Sequence, residues 1–163
     1  MKMMTRLLVI ACLVLPFAAC KKEDEAKTEA VAAPLSVPKT DDTAEWRAYV
    51  TDVAKRNMDG ITNPPYVYFL PGEKTEGFGG QYERQLEKLE EDLGRGIIAG
   101  NMLVFASPAI DKETEMVETA FKAVPPGTMK GVKVVFVGSP ILGERVRTAV
   151  TPSGVNYVFV EAK

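Results

Sequence analysis

The chain has 163 residues, 46% hydrophobic and 26% charged, with a formal charge of −2 and no histidine. That length suits one ordinary domain with extensions, and the composition is that of a globular protein rather than a disordered one. With no basic excess, nucleic acid is excluded as a first partner. Without histidine the chain lacks the usual acid–base group near neutral pH and the commonest zinc or copper ligand, so no cofactor and no metal is expected.

Residues 1–19 read as a secretory signal. Lys2 and Arg6 give a positive start, and the apolar stretch LLVIACLVL (7–15) follows. It is about half the length needed to span a membrane. Pro16 ends it, and the small residues Ala18 and Ala19 lead to Cys20.

The stretch FAAC (17–20) resembles the lipobox of bacterial lipoproteins, with Phe17 where Leu is usual. The resemblance implies cleavage before Cys20 and acylation of its sulfur and freed amine by chains such as palmitate. Each buried methylene contributes about 0.8 kcal/mol, so two or three chains hold a protein firmly on a bilayer. Cys12 leaves with the signal, so Cys20 has no disulfide partner in the mature chain, which has no free thiol. Of the 20 Lys and Arg, two go with the signal, leaving 18 against 22 acids, a net charge of −4. Lys21 follows the cysteine where an Asp would favour the inner membrane. The expectation is therefore the outer membrane, facing the periplasm, if the source is Gram-negative.

Residues 20–43 are expected to form the lipidated cysteine and a disordered tether. The stretch is charged and Ala-rich, is broken by Pro34 and Pro38, and has no aromatic residue.

Regular signals fill 44–163. Asp42-Thr-Ala-Glu45 has the form of a capping box. Trp46, Tyr49, Val50, Val53 and Met58 then recur at helical spacing until Gly60. Pro64 and Pro65 lead into a strand, YVYFL (66–70), and Gly72–Gly80 reads as a flexible loop. Tyr82, Leu86, Leu89 and Leu93 mark an amphipathic helix ended by Gly94 and Gly96. MLVFA (102–106) is a second strand. A helix capped by Asp111 follows, with Met116, Val117, Ala120, Phe121 and Val124 inward. KVVFVG (133–138) is a third strand, 142–150 a short helix and VNYVFV (155–160) a fourth strand.

Alternating strands and helices, with apolar runs lacking polar alternation, predict a compact three-layer α/β/α domain with a mostly parallel, doubly wound sheet of four strands. A split α+β arrangement is the alternative.

Ligands in such sheets sit at the carboxyl ends of the strands. That edge would gather the loops 71–80, 107–111 and 139–143, so Ser107, Asp111 and Ser139 are candidate binding residues. In the repeated strand, Ser-Pro, helix pattern the simpler reading is ordinary helix-start chemistry. The glycine-rich loop fits neither a P-loop nor a dinucleotide fingerprint. The serines have no histidine to activate them and no nucleophile elbow. Asp111, Glu113, Glu73 and Glu144 are the acids available to pair for sugar hydrolysis. Phe78 and Tyr82 are candidates for a protein contact, Tyr82 also reading as the start of a core stripe.

The reading is a lipid-anchored envelope protein with a non-catalytic binding domain for an envelope or secreted protein, acting in complex assembly or effector neutralisation. The alternative is a small envelope hydrolase or sugar-binding protein using carboxylates at the strand edge.

Overall fold

A computed structural model describes residues 33–163. The signal, Cys20 and the tether as far as residue 32 lie outside the described residues. Four helices and one four-stranded sheet form an α/β fold with three layers, in the order α1 (Thr43–Arg56), β1 (Tyr66–Tyr68), α2 (Phe78–Arg95), β2 (Met102–Phe105), α3 (Ile110–Phe121), β3 (Lys133–Gly138), α4 (Pro140–Val150), a 3-10 turn (Thr151–Ser153) and β4 (Asn156–Glu161).

The strands lie side by side in sequence order, β1-β2-β3-β4, and every pair is parallel. Crossovers of one hand that always step in the same direction must all pass on the same face. Residues of α2, α3 and α4 accordingly share one apolar cluster with Tyr68, Leu103, Phe105, Val134 and Phe136. The strand order never reverses. The sheet is singly wound, not doubly wound as expected from the sequence, and it has no crevice where neighbouring crossovers part to opposite faces.

The opposite face belongs to α1 alone. Trp46, Tyr49, Val50, Val53 and Ala54 pack on Met102, Val104, Val135 and Val137, which puts α1 over β2 and β3. All four residues of β2 are buried, as a strand covered on both faces requires.

Helix ends follow local chemistry. Asp42 caps α1, its side chain accepting from Ala44 N and Glu45 N at 2.9 Å each. Glu45 does not complete the expected capping box. Its carboxylate accepts from the Thr40 hydroxyl at 2.8 Å. Helix α2 begins at Phe78, so Gly79 and Gly80 lie in its first turn rather than in the loop. Helix α3 begins after Ala109, placing Asp111 inside the first turn instead of at the cap.

Residues 33–42, assigned to the tether by composition, lie along the domain. The Leu35 amide donates to Asp52 at 3.1 Å, Trp46 Nε1 donates to the Thr40 carbonyl at 2.8 Å, and Val37 packs against the α1 cluster. This strap runs along the flank of α1 next to β4, and a cavity of about 470 Å³ remains between it, Val53 and Val160. No helix among the described residues is long and apolar enough to cross a membrane.

Candidate functional site

The carboxyl edge of the sheet holds the serines and acids singled out from the sequence, and each has a local task. Ser107 is buried, donating to the Leu70 carbonyl at 2.8 Å and accepting from Ala109 N at 2.9 Å, so it ties the ends of β1 and β2 together. Ser139 is exposed and caps α4. Phe78 and Tyr82 are half-buried and pack against the larger cluster. Burial pushes the Tyr82 phenol up. Neither ring stands free as an interface anchor would.

The four acids sit in different surroundings. Glu144 is bound by Arg147, whose hydrogen bond holds its carboxyl below the usual range. Asp111 acts on Arg145, and Glu73 acts on Lys112.

Glu113 differs from the rest. Its side chain is fully buried, and neither carboxylate oxygen makes a hydrogen bond. Burial drives it well above the usual carboxylate range, opposed only by the Ala106 N–H, which falls short of bonding geometry. No second acid contributes to the shift. A carboxyl with no exposed surface is part of the core of this edge. Among the described residues no group of three or more acids, cysteines or histidines is placed to hold a metal.

The concave surface lies elsewhere. Because α1 sits over β2 and β3, the face of β1 on that side is uncovered. Val67 is 41% exposed there, and Phe69 is only partly buried. A groove of about 500 Å³ runs between them and α1. Its floor is Pro65, Val67 and Phe69, and its wall is Val50, Ala54 and Met58. Arg47, Thr51 and Lys55 form the rim, spaced one helical turn apart, and no acid lines the groove.

Charges on α1 are sorted by side. Asp52 and Arg56 face the strap flank and bond to each other at 2.8 Å. Among the described residues, neither Arg47 nor Lys55 forms an ion pair. Arg47 and Lys55, neither held in an ion pair although Lys55 acts on Asp52 through space, stand beside an apolar floor and can hold something both greasy and anionic.

The sequence carried part of this signal. Val50 and Met58 show the inward spacing of α1, and Pro65 leads into the strand that holds Val67. Nothing in the sequence fixes where α1 crosses the sheet, so the gap over β1 could not be read from it. No family model, no curated protein and no solved structure matches this chain.

Proposed function

We propose that this chain is a lipid-anchored protein of the bacterial envelope whose α/β domain works by binding a protein partner, without catalysis. The anchor rests on the lipobox-like FAAC and on Cys20, which has no disulfide partner in the mature chain. The orientation, outer membrane facing the periplasm in a Gram-negative cell, rests on Lys21.

The groove between α1 and β1 supports binding over chemistry. It is lined by apolar side chains, two cations and Thr51, whose hydroxyl is bonded to the Arg47 carbonyl. It lies along the face of β1 rather than across the carboxyl edge of the sheet where α/β enzymes place their reactive groups. It holds no nucleophile with a base beside it and no acid to give or take a proton. At the strand edge Glu144 is bonded to Arg147 and Glu113 is shut in the core. Complex assembly and neutralisation of an incoming effector both fit a domain held just off the lipid surface.

The reading is tested in two independent steps. Metabolic labelling with a fatty-acid analogue should mark the wild type and leave Cys20→Ala unlabelled and released from membranes. A labelled, membrane-bound Cys20→Ala chain would end the anchor. For the domain, a photo-crosslinker at Val67 in the full chain should capture one stoichiometric envelope protein, with a crosslinker at exposed Thr148 on α4 as control. Equal capture from both sites would remove the groove from the function.

A further inference from the structure

We infer that the α1–β1 groove is the seat of an amphipathic helix from a partner protein, apolar on one face and acidic along the edge that meets α1. This rests on the binding reading above and names the chemistry of the partner.

Layer geometry argues first. Helices that pack side by side lie about 8–10 Å apart, and neighbouring strands about 4.8 Å apart. One helix therefore covers about two strands, and α1 covers β2 and β3. Residues 34–37 of the chain cover part of the flank beside β4, where a cavity of about 470 Å³ remains whose lining includes the acids Asp52 and Glu161. The flank beside β1 has an apolar floor with no such segment across it, leaving a ledge one strand wide on which a helix can rest beside α1 with its outer side in water.

The shape separates a helix from other occupants. The groove opens along the edge strand, so whatever lies in it keeps one side wet. Pockets for small apolar ligands enclose most of the ligand, roughly 70–90% of its surface. An amphipathic helix needs cover on one face only and is the better match for an open ledge. Pairing of an added strand on β1 is blocked, since β1 has three residues between Pro65 and the proline at 71.

Charge selects the sign. Arg47 and Lys55 are eight residues apart on α1, or about 12 Å along the axis. A partner helix lying alongside would meet both with acids spaced seven or eight residues apart. In a chain with net negative charge, these are cations outside the ion pairs of the described residues, bordering an apolar surface that no acid lines.

The probe is a synthetic helical peptide of about four turns. It carries Leu at i, i+3, i+4 and i+7 and Glu residues eight apart, and a twin has Lys for every Glu. Titrated into the isotope-labelled full chain, the acidic peptide should bind saturably and shift the amides of Ala54, Val67 and Phe69. Arg47→Glu with Lys55→Glu should weaken the acidic peptide about tenfold or more and make the Lys twin the better ligand. Both sites are exposed, so the fold should survive, and the reversed preference is itself the control. Val67→Glu should abolish both.

Equal binding of the two peptides, or of neither, overturns the inference. So does a perturbation of the same amides by oleate alone, which would make the occupant an acyl chain, or self-association through the groove, which would make it a second copy. If Val67 still crosslinks one envelope protein while the acidic peptide fails, the helix chemistry falls and the binding reading stands. If both fail, both fall.

Discussion

The phenol of Tyr68 at the end of β1 donates a 2.8 Å hydrogen bond to Asp92 Oδ2 on α2, across 24 residues of sequence. Lys88 Nζ reaches the same oxygen at 2.5 Å and sits over the rings of Tyr66 and Tyr68. The Tyr68 ring in turn stacks on Phe105 of β2 at 5.2 Å. The cluster pins the short edge strand, whose outer face forms the groove floor, to the helix layer beneath it.

Burial alone would raise Asp92, but the bonds from Lys88 and Tyr68 outweigh it and hold the carboxyl below its ordinary 3.8. A group depressed in the folded state adds stability above its unfolded pKa and loses it as pH falls through the folded value. Tyr68→Phe should cost about 1–3 kcal/mol at pH 7, the range for a buried bond to a charged acceptor. Asp92→Asn should cost stability at pH 7 and flatten the acid limb. Urea melts of wild type and both variants from pH 2 to 7 check this. An unchanged acid limb in Asp92→Asn would show that the carboxylate is not coupled to folding.

Glu113 predicts the opposite slope. Its carboxyl is raised in the folded state, so the unfolded chain releases the proton first, from about 4.5 upward. The folded state then holds the extra proton, and stability falls as pH rises until the folded pKa is reached. Glu113→Gln should therefore gain on wild type progressively from pH 4 to 8. Glu113→Met, which keeps the volume and removes two buried unbonded oxygens, should gain about 1–3 kcal/mol at pH 7. Melting curves at several pH values read both. Loss of stability in both variants would mean that the carboxyl has a partner in the core.

The burial of Glu113 is legible in the sequence, although the reading by chemistry offers it as an acid at the strand edge. Residues 113, 116, 117, 120 and 121 fall on one face of α3, so the spacing that picks out Met116 and Phe121 also puts Glu113 inward. Strands β2 and β3 were plain for the same kind of reason, as unbroken apolar runs with no room for a wet face. The start of α2 was not, because Gly79 and Gly80 carry a loop signature and only the packing of Phe78 makes them helical. Ser107 and Ser139 looked alike in sequence, yet one is buried between strand ends and the other caps a helix in solvent. That difference depends on which strand lies alongside. The groove likewise depends on where α1 lands, a tertiary choice with no local residue signal.

Two glycines separate backbone strain from close packing. Gly60 and Gly131 both have positive φ, at 73° and 79°. A Cβ on Gly60 would meet nothing within 4 Å, while one on Gly131 would lie 2.7 Å from Ala99 Cβ. Gly60→Ala should cost about 1 kcal/mol, from the left-handed conformation alone. Gly131→Ala should cost about 1–3 kcal/mol more, since the turn must shift and its carbonyl accepts from Gly100 N at 3.1 Å. Chemical denaturation of the two variants side by side measures the difference. Equal losses would mean that the segment holding Ala99 yields without resistance.

The strap at 33–42 sets the last expectation. It lies on the flank of α1 that the groove does not use, and Trp46 Nε1 is bonded to it through the Thr40 carbonyl. Trp46→Phe keeps an aromatic ring in the core and removes that donor, leaving a carbonyl on a largely exposed segment to be satisfied by water. The loss should be modest, about 0.5–1.5 kcal/mol, because the bond exchanges for one to solvent. Release should be local. Limited proteolysis should cut the variant faster at Lys39, while cleavage in the sheet region keeps its wild-type rate. Leu35→Pro, which deletes the amide donated to Asp52, should speed the same cut by a separate route. If both variants are cut at the wild-type rate, Val37 and the apolar contacts hold the strap, and the two hydrogen bonds contribute little to keeping it in place.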